Sequence, residues 1–561
     1  MTRPWGTSRS VTSAPVLRGG ALLAVVAAAL LVAGLAAAPP ARGDVADWRA
    51  PFTLTPGLGL VAQYGYAPPH TRNVPAFDSA DRAYIRSRTA ARDTTSYVAT
   101  LEGGAWTQLD FSAALLAAYP DFVGTVGAGG WRSDGVVFDR QDRAYNPLTI
   151  QLAGGATRNV LLVSWDLCRT WKVFELPDGE FAVEHWVGHN EIDGPPFLAF
   201  WQPSSLPYAG RHGGRYTLWV TQPRLEGDDL VIPTPALVTN ACLGFTRHSG
   251  GASFAVTHGE STWFVWPGTA ARDAPGVPQY VSRYDHLSGA VDEPLLLTRT
   301  PPANDPHNTP GICLDSQGYL HVVGGTHGTA VPYLRSLSPY SSDGGWTPPE
   351  PVLSEGYTTG EDPPRSLGRQ TYDSFVCDSQ DTLHLVTRQA RRGVDAAFEG
   401  RYYAALIHQS RPAGASWGAP TLIVVPPARG YSVYYHKLAL DHRDRLFLSC
   451  SYTGGETMWA DRARAAGLSV LGRAQPWRGT YRRRLLLVSE DHGASWRFAT
   501  DRDLSGGAEV APAPSRAAPA RSGGGAPPGA LDWLNPAPQG DQLTAIDFVD
   551  ATRGWAAGTL G

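Results

Sequence analysis

Leu314-Asp315-Ser316-Gln317-Gly318-Tyr319-Leu320-His321-Val322-Val323 and Cys377-Asp378-Ser379-Gln380-Asp381-Thr382-Leu383-His384-Leu385-Val386 are two copies of one phrase. An apolar residue is followed by an aspartate, a polar turn and an alternating strand. The phrase returns as Leu440-Asp441-His442-Arg443-Asp444-Arg445-Leu446-Phe447. It also occurs earlier, as Phe77-Asp78-Ser79-Ala80-Asp81-Arg82-Ala83-Tyr84 and Phe138-Asp139-Arg140-Gln141-Asp142-Arg143-Ala144-Tyr145. The aspartates stand 61 residues apart in the first pair and 63 and 63 across the last three. The 176 residues between Asp139 and Asp315 hold room for two more copies, and degenerate candidates begin at Asp193 and His258. Seven evenly spaced units mark a repeat architecture, and a period near 60 residues suits a four-stranded blade with generous loops. The expected fold is therefore all-β: a seven-bladed β-propeller of four-stranded antiparallel blades over residues 44–504. A β-sandwich needs no such repetition, and a β-helix would use a shorter period.

A second element repeats within this frame. Ser489-Glu490-Asp491-His492-Gly493-Ala494-Ser495-Trp496 fits the S-x-D-x-G-x-[ST]-W pattern known as the Asp box. Ser164 to Trp171 fits it too, with Cys168 where glycine is usual. Weaker versions end at Trp346 and Trp417. The expected role is a hairpin corner in which Asp caps turn amides, Gly takes a positive φ and Trp packs between sheets. No residue of these boxes is read as catalytic.

The ends read differently. Arg3, Arg9 and Arg18 precede an apolar run over residues 20–38 and then small residues, the pattern of a signal peptide over residues 1–43. An uncleaved anchor is the competing reading; no second transmembrane segment follows. This predicts export, to the extracellular space or a periplasm, without stable membrane insertion after cleavage. Residues 505–530 are rich in Ala, Pro, Gly and Ser and read as a linker. Residues 531–561 resemble the opening of a photosystem-assembly-factor-like repeat, too short to close a second propeller and expected to be poorly ordered.

A formal net charge of −4 excludes the basic face of a general nucleic-acid binder. Lys172 and Lys437 are the only lysines, which leaves little for Schiff-base chemistry. The five cysteines, Cys168, Cys242, Cys313, Cys377 and Cys450, show no metal-type spacing and read as buried thiols, with a disulfide left open. Several His and Asp residues could hold a structural calcium or zinc ion, but no spacing assigns one.

Propellers gather ligands where inner strands and their loops converge. His307, Tyr372 and His436 lie 8, 6 and 5 residues before the repeated aspartates Asp315, Asp378 and Asp441. His327 and Arg388 follow the first two of these by 12 and 10. Matched positions on consecutive blades point at one axis, so the five side chains are expected to converge. A lone His or Tyr at a strand end more often satisfies backbone groups. His321 and His384 fall mid-strand at one shared place and read as structural.

The phrases HNTPGICLDSQGYLHVVGGTHG (307–328), TYDSFVCDSQDTLHLVTRQ (371–389) and GYSVYYHKLALDHRDRLFLSCSY (430–452), with the late Asp box, resemble BNR-repeat propellers that include ulvan lyases. The resemblance covers most of the second half; the first half matches only the general architecture. It implies β-elimination on an acidic, uronic-acid-containing polysaccharide, with no cofactor required. By the same resemblance His327 and Tyr372 would be catalytic, with either as base. Arg388 would neutralise the uronate carboxylate, and His307 would be a second active-site histidine. Asn308, Tyr435 and His436 would bind substrate. Two alternatives stay open: a sialidase-like glycoside hydrolase, for which no Arg-Ile-Pro motif or arginine triad is seen, and a non-catalytic glycan-binding propeller. The polysaccharide and the oligomeric state are not legible.

Overall fold

The protein is described from a computed structural model covering residues 75–88, 96–103, 105–126, 135–208, 210, 213–245, 253–352, 369–391, 403–424, 433–454, 481–506, 543–550 and 553–558. The expected signal peptide, residues 1–43, and nearly all of the linker lie outside them. No helix among the described residues is long and apolar enough to cross a membrane.

Alternating apolar runs, each broken by an aspartate turn, fold into seven antiparallel sheets of at least four strands. Their innermost strands are Ala76–Phe77, Val137–Phe138, Glu180–Val183, Ala255–His258, Gly311–Leu314, Gln370–Cys377 and Val433–Leu440; these define blades 1 to 7. Blade 2 gains a strand, Phe122–Val126, and blade 6 gains His327–Thr329, which pairs onto its innermost strand. The expected seven blades are all present. Leu543–Asp550 and Arg553–Gly558 pair as a separate antiparallel hairpin.

The repeated phrase has two aspartates with different duties. The first closes its own turn: Asp78 Oδ1 accepts from the amides of Ala80 and Arg82 at 3.1 and 2.8 Å. Asp378 does the same for Gln380 and Thr382. The second, three residues on, reaches the neighbouring blade. Asp142 accepts from the Ser79 amide at 2.7 Å, Asp381 from Ser316 at 2.7 Å, Asp444 from Ser379 at 2.8 Å and Asp81 from His442 at 2.8 Å. These four aspartates sit at φ of 58 to 62°, in the left-handed region that Asp tolerates better than most residues. The last of these bonds joins blade 7 to blade 1. A cluster of Phe77, Ile85, Phe447, Val488 and Leu504 seals the same seam. The core lies between blades, where both faces of each sheet are covered.

The Asp boxes form the expected corners. Asp491 Oδ1 accepts from the Ser495 amide at 2.8 Å, and Trp496 is buried in the core. Cys168 takes the glycine place at φ 68°.

Blade 3 departs from the repeat. Between its first two strands, Glu180–Val183 and Leu198–Pro203, residues 184–197 replace the short aspartate turn. This segment crosses the propeller axis. Trp186 stacks on His442 of blade 7 with centroids 4.6 Å apart. The Val187 carbonyl accepts from the Cys377 amide of blade 6 at 3.0 Å, and His189 Nε2 donates to the Asp378 carbonyl at 2.8 Å. Glu184 anchors the near end, accepting from Asn190 Nδ2 and from both the amide and hydroxyl of Thr257. A cavity of about 520 Å³ follows the axis beside this crossing, lined among others by His185, Trp186, His189, Thr309 and Lys437.

Candidate active site

Four of the expected site residues form one contiguous cluster on blades 5 and 6. The His307 ring lies 4.9 Å from His327 and 5.6 Å from Tyr372, edge-on to both. The Arg388 guanidinium stands over the Tyr372 ring at 4.4 Å. The histidine side chains are 29% and 37% exposed, whereas Tyr372 and Arg388 are buried at 3% and 4%. The histidines therefore face outward while the tyrosine and arginine form the floor.

Backbone irregularities aim these groups. His327 heads the short added strand of blade 6, where Gly328, at φ 91°, interrupts the register. Tyr372 occupies a bulge between Thr371 and Ser374 and holds φ 60°. A tyrosine in this region costs on the order of 1 kcal/mol or more, and such strain collects at functional positions.

Asp305 was not among the expected site residues, yet it organises the cluster. Its Oδ1 accepts from His307 Nδ1 at 2.6 Å and from the His307 amide at 2.9 Å, and its Oδ2 accepts from His327 Nδ1 at 2.7 Å. Burial alone would raise its pKa; the hydrogen bonds from both histidines outweigh this and hold the carboxyl well below the usual range. An ionised carboxylate only accepts, so each imidazole carries its proton on Nδ1. In its neutral form His327 then presents Nε2 as a basic lone pair.

Two expectations come out differently. Asn308 is fully buried; its Nδ2 donates to the Thr300 and Pro301 carbonyls at 2.8 and 3.0 Å. It stitches the end of blade 4 to the approach of blade 5 and does not reach the cluster's surface. His436 is also buried. It donates through Nε2 to the Val386 carbonyl at 2.9 Å, and burial, followed by the nearby Lys437 and Arg388 charges, pushes its pKa down to about 3. It supports the strand carrying Arg388 from behind. The side chain of Tyr435 lies outside the described residues. His321 and His384 are held in the interior by Asp315 and Asp378, as expected of structural groups.

Beside Tyr372, Asp373 is buried at 2% exposure, and neither carboxylate oxygen finds a hydrogen-bond donor on another described residue. Burial pushes its pKa up to about 7, against the opposing charge of Lys437. A raised acid favours the folded state below its unfolded pKa and loses that contribution as pH rises through the folded value. The denaturation midpoint of the wild type should therefore fall between about pH 4 and pH 8. Asp373→Asn should flatten that dependence by a few kcal/mol; parallel pH profiles for the two proteins would refute the assignment.

Two groups of this region could hold a metal through nearby donor atoms. In Asp305, His307 and His327 an ion would compete for the atoms that now hold the rings. Asp378, His384 and His492 are joined by hydrogen bonds of 2.8 and 3.0 Å through Asp378 Oδ2.

With this geometry in view, comparison with known proteins adds a family. Residues 279–522 match the BNR repeat-containing family. The matched stretch contains every residue of the candidate cluster. No curated protein matches the chain. Among solved structures, a PL25 ulvan lyase bound to -[GlcA(1-4)Rha3S]- is 13% identical over 45% of this chain and 56% of its own, at a TM-score of 0.30. The BP39L lectin from Burkholderia pseudomallei is 11% identical over 68% and 93%, at 0.37. A Trypanosoma rangeli sialidase is 11% identical over 57% and 52%, at 0.30. This chain thus spans little more than half of the lyase it matches. Likenesses this weak carry no weight for the activity of the BNR repeat region, which must come from its own residues.

Proposed function

We propose that the chain is an exported polysaccharide lyase that cleaves an acidic, uronic-acid-containing polysaccharide by β-elimination. The observation that supports this best is the continuous contact from His327 through His307 and Tyr372 to Arg388, with Asp305 fixing both imidazoles. β-Elimination takes the proton from C5 of the uronate. The electrons of that bond form a C4=C5 double bond, the C4–O bond breaks, and the departing oxygen receives a proton. The C5 proton is weakly acidic because the adjacent carboxylate is already negative. A guanidinium paired with that carboxylate lowers the cost of the enolate-like transition state, and Arg388 is the cation in place. His327 Nε2 suits proton removal, and the Tyr372 hydroxyl suits protonation of the leaving oxygen; the opposite configuration at C5 would exchange these roles. A two-carboxylate hydrolase would need a second carboxyl group beside the first, and Asp305 has both oxygens committed to histidine; a sialidase-like hydrolase with a tyrosine nucleophile would need an arginine triad, which the sequence does not display.

The near burial of Tyr372 and Arg388 favours a second reading, a non-catalytic glycan-binding propeller. One assay separates the two. Incubation with a panel of uronate polysaccharides should generate the ultraviolet absorbance of a conjugated unsaturated uronate, which hydrolysis and binding do not produce. Tyr372→Phe should lower that rate by about 100-fold or more. Polymer cleavage without the absorbance would refute the lyase, and binding without cleavage would establish the second reading.

A further inference from the structure

Where residues 184–197 cross the axis, side chains from three distant stretches meet. His189 Nε2, Cys377 Sγ and an Asp381 carboxylate oxygen all lie within 4.8 Å of one another. His189 Nε2 is 3.2 Å from Asp381 Oδ1. The Cys313 side chain, on the innermost strand of blade 5, packs in the same core cluster as Cys377. Cys313 and Cys377 are wholly buried, while His189 and Asp381 are 19% and 15% exposed at the side chain. None of these residues belongs to the candidate active site.

We propose that His189, Cys377 and Asp381 form a zinc site that pins the axial crossing to blade 6. Thiolate, imidazole and carboxylate together suit zinc, whereas calcium and magnesium take oxygen donors. Ligands on one tetrahedral zinc stand roughly 3.3–3.8 Å apart, so small rotations close the set. Asp381 has lone pairs to spare, since each oxygen now accepts a single bond from Ser316. The Cys377 thiol would release its proton on binding, and His189 would shift its proton from Nε2 to Nδ1. His189 lines the axial cavity, which gives an ion a route in. The local backbone is shaped for the approach: at Gly188 a Cβ would come within 1.8 Å of the Cys377 carbonyl oxygen. Among the described residues, Cys168, Cys242 and Cys450 belong to no such group of donors.

The full chain, incubated with zinc chloride and desalted, should carry about one zinc per chain by mass spectrometry. Cys377→Ser and His189→Gln should lose most of it. A cobalt-loaded sample should show a thiolate-to-cobalt charge-transfer band that Cys377→Ser lacks. Stripping by a chelator should lower the melting temperature by about 5 °C or more. Wild-type protein that holds no zinc after incubation overturns the proposal whether or not the variants fold. Zinc retained equally by both variants, or a Cys313–Cys377 disulfide in non-reducing peptide maps, overturns it as well.

Discussion

Asp305→Asn is expected to lower turnover on a uronate polymer by about 1,000-fold while leaving the melting temperature within a few degrees of wild type. The carboxylate now accepts from both Nδ1 atoms, one on each oxygen. An amide offers one accepting oxygen and one NH₂ group, so one histidine must face a donor with a donor. That ring flips or moves its proton to Nε2, and the basic lone pair is lost from the cleft. The change acts through the histidines, so the loss should appear in kcat with KM little altered. A stability role alone would not move the ratio of the two constants. If Asp305→Asn retains more than about a tenth of wild-type kcat, the two histidines do not depend on this carboxylate.

The architecture was legible because it rests on a countable period. Five strong copies of the aspartate phrase set the spacing, and His258 and the region of Asp193 fell in blades 4 and 3 where that spacing put them. The second aspartate, which ties one blade to the next, was in plain sight at Asp81, Asp142, Asp381 and Asp444. Its meaning needed the neighbouring blade. Residues 184–197 were hidden for a related reason: they keep the period of the repeat while replacing its turn, and their partners at Cys377 and His442 are far away in sequence.

The site was legible in part for the same physical reasons. His307, His327, Tyr372 and Arg388 stand at matched offsets, and their rings and guanidinium do meet. His436 stood at the third of these offsets and is a buried support instead, as is Asn308, which only the resemblance implied. Counting along a strand assumes strict alternation, and the innermost strands of blades 6 and 7 are bulged at Thr371/Ser374 and Tyr434/Lys437. Each bulge reassigns which side chains face the cleft. Asp305 carried a local signal: an Asp two residues before a histidine can accept that histidine's amide as an Asx turn. Its bond to His327, 22 residues on, is tertiary and left no trace in the spacing.

Gly188→Ala is expected to destabilise the propeller by about 3 kcal/mol or more, seen as a fall in melting temperature of roughly 5 °C or greater. Gly188 holds φ 126°, a conformation that side-chain-bearing residues rarely adopt, and its missing Cβ would lie 1.8 Å from the Cys377 carbonyl oxygen. Backbone on both sides leaves no flexible group to give way. To admit a methyl, the crossing must lift from blade 6. That breaks the bond from the Cys377 amide to the Val187 carbonyl and withdraws His189 from Asp378 and Asp381. It also drags the buried Val187 out of the main core cluster. Gly194→Ala supplies the control within the same segment, since a Cβ there meets nothing within 4 Å and the backbone is not in the left-handed region. Its melting temperature should stay within about 1 °C of wild type. Equal melting temperatures for Gly188→Ala and wild type would mean that the crossing is not held against blade 6. A fall confined to Gly188→Ala would locate a large share of the propeller's stability in a segment that departs from its repeat.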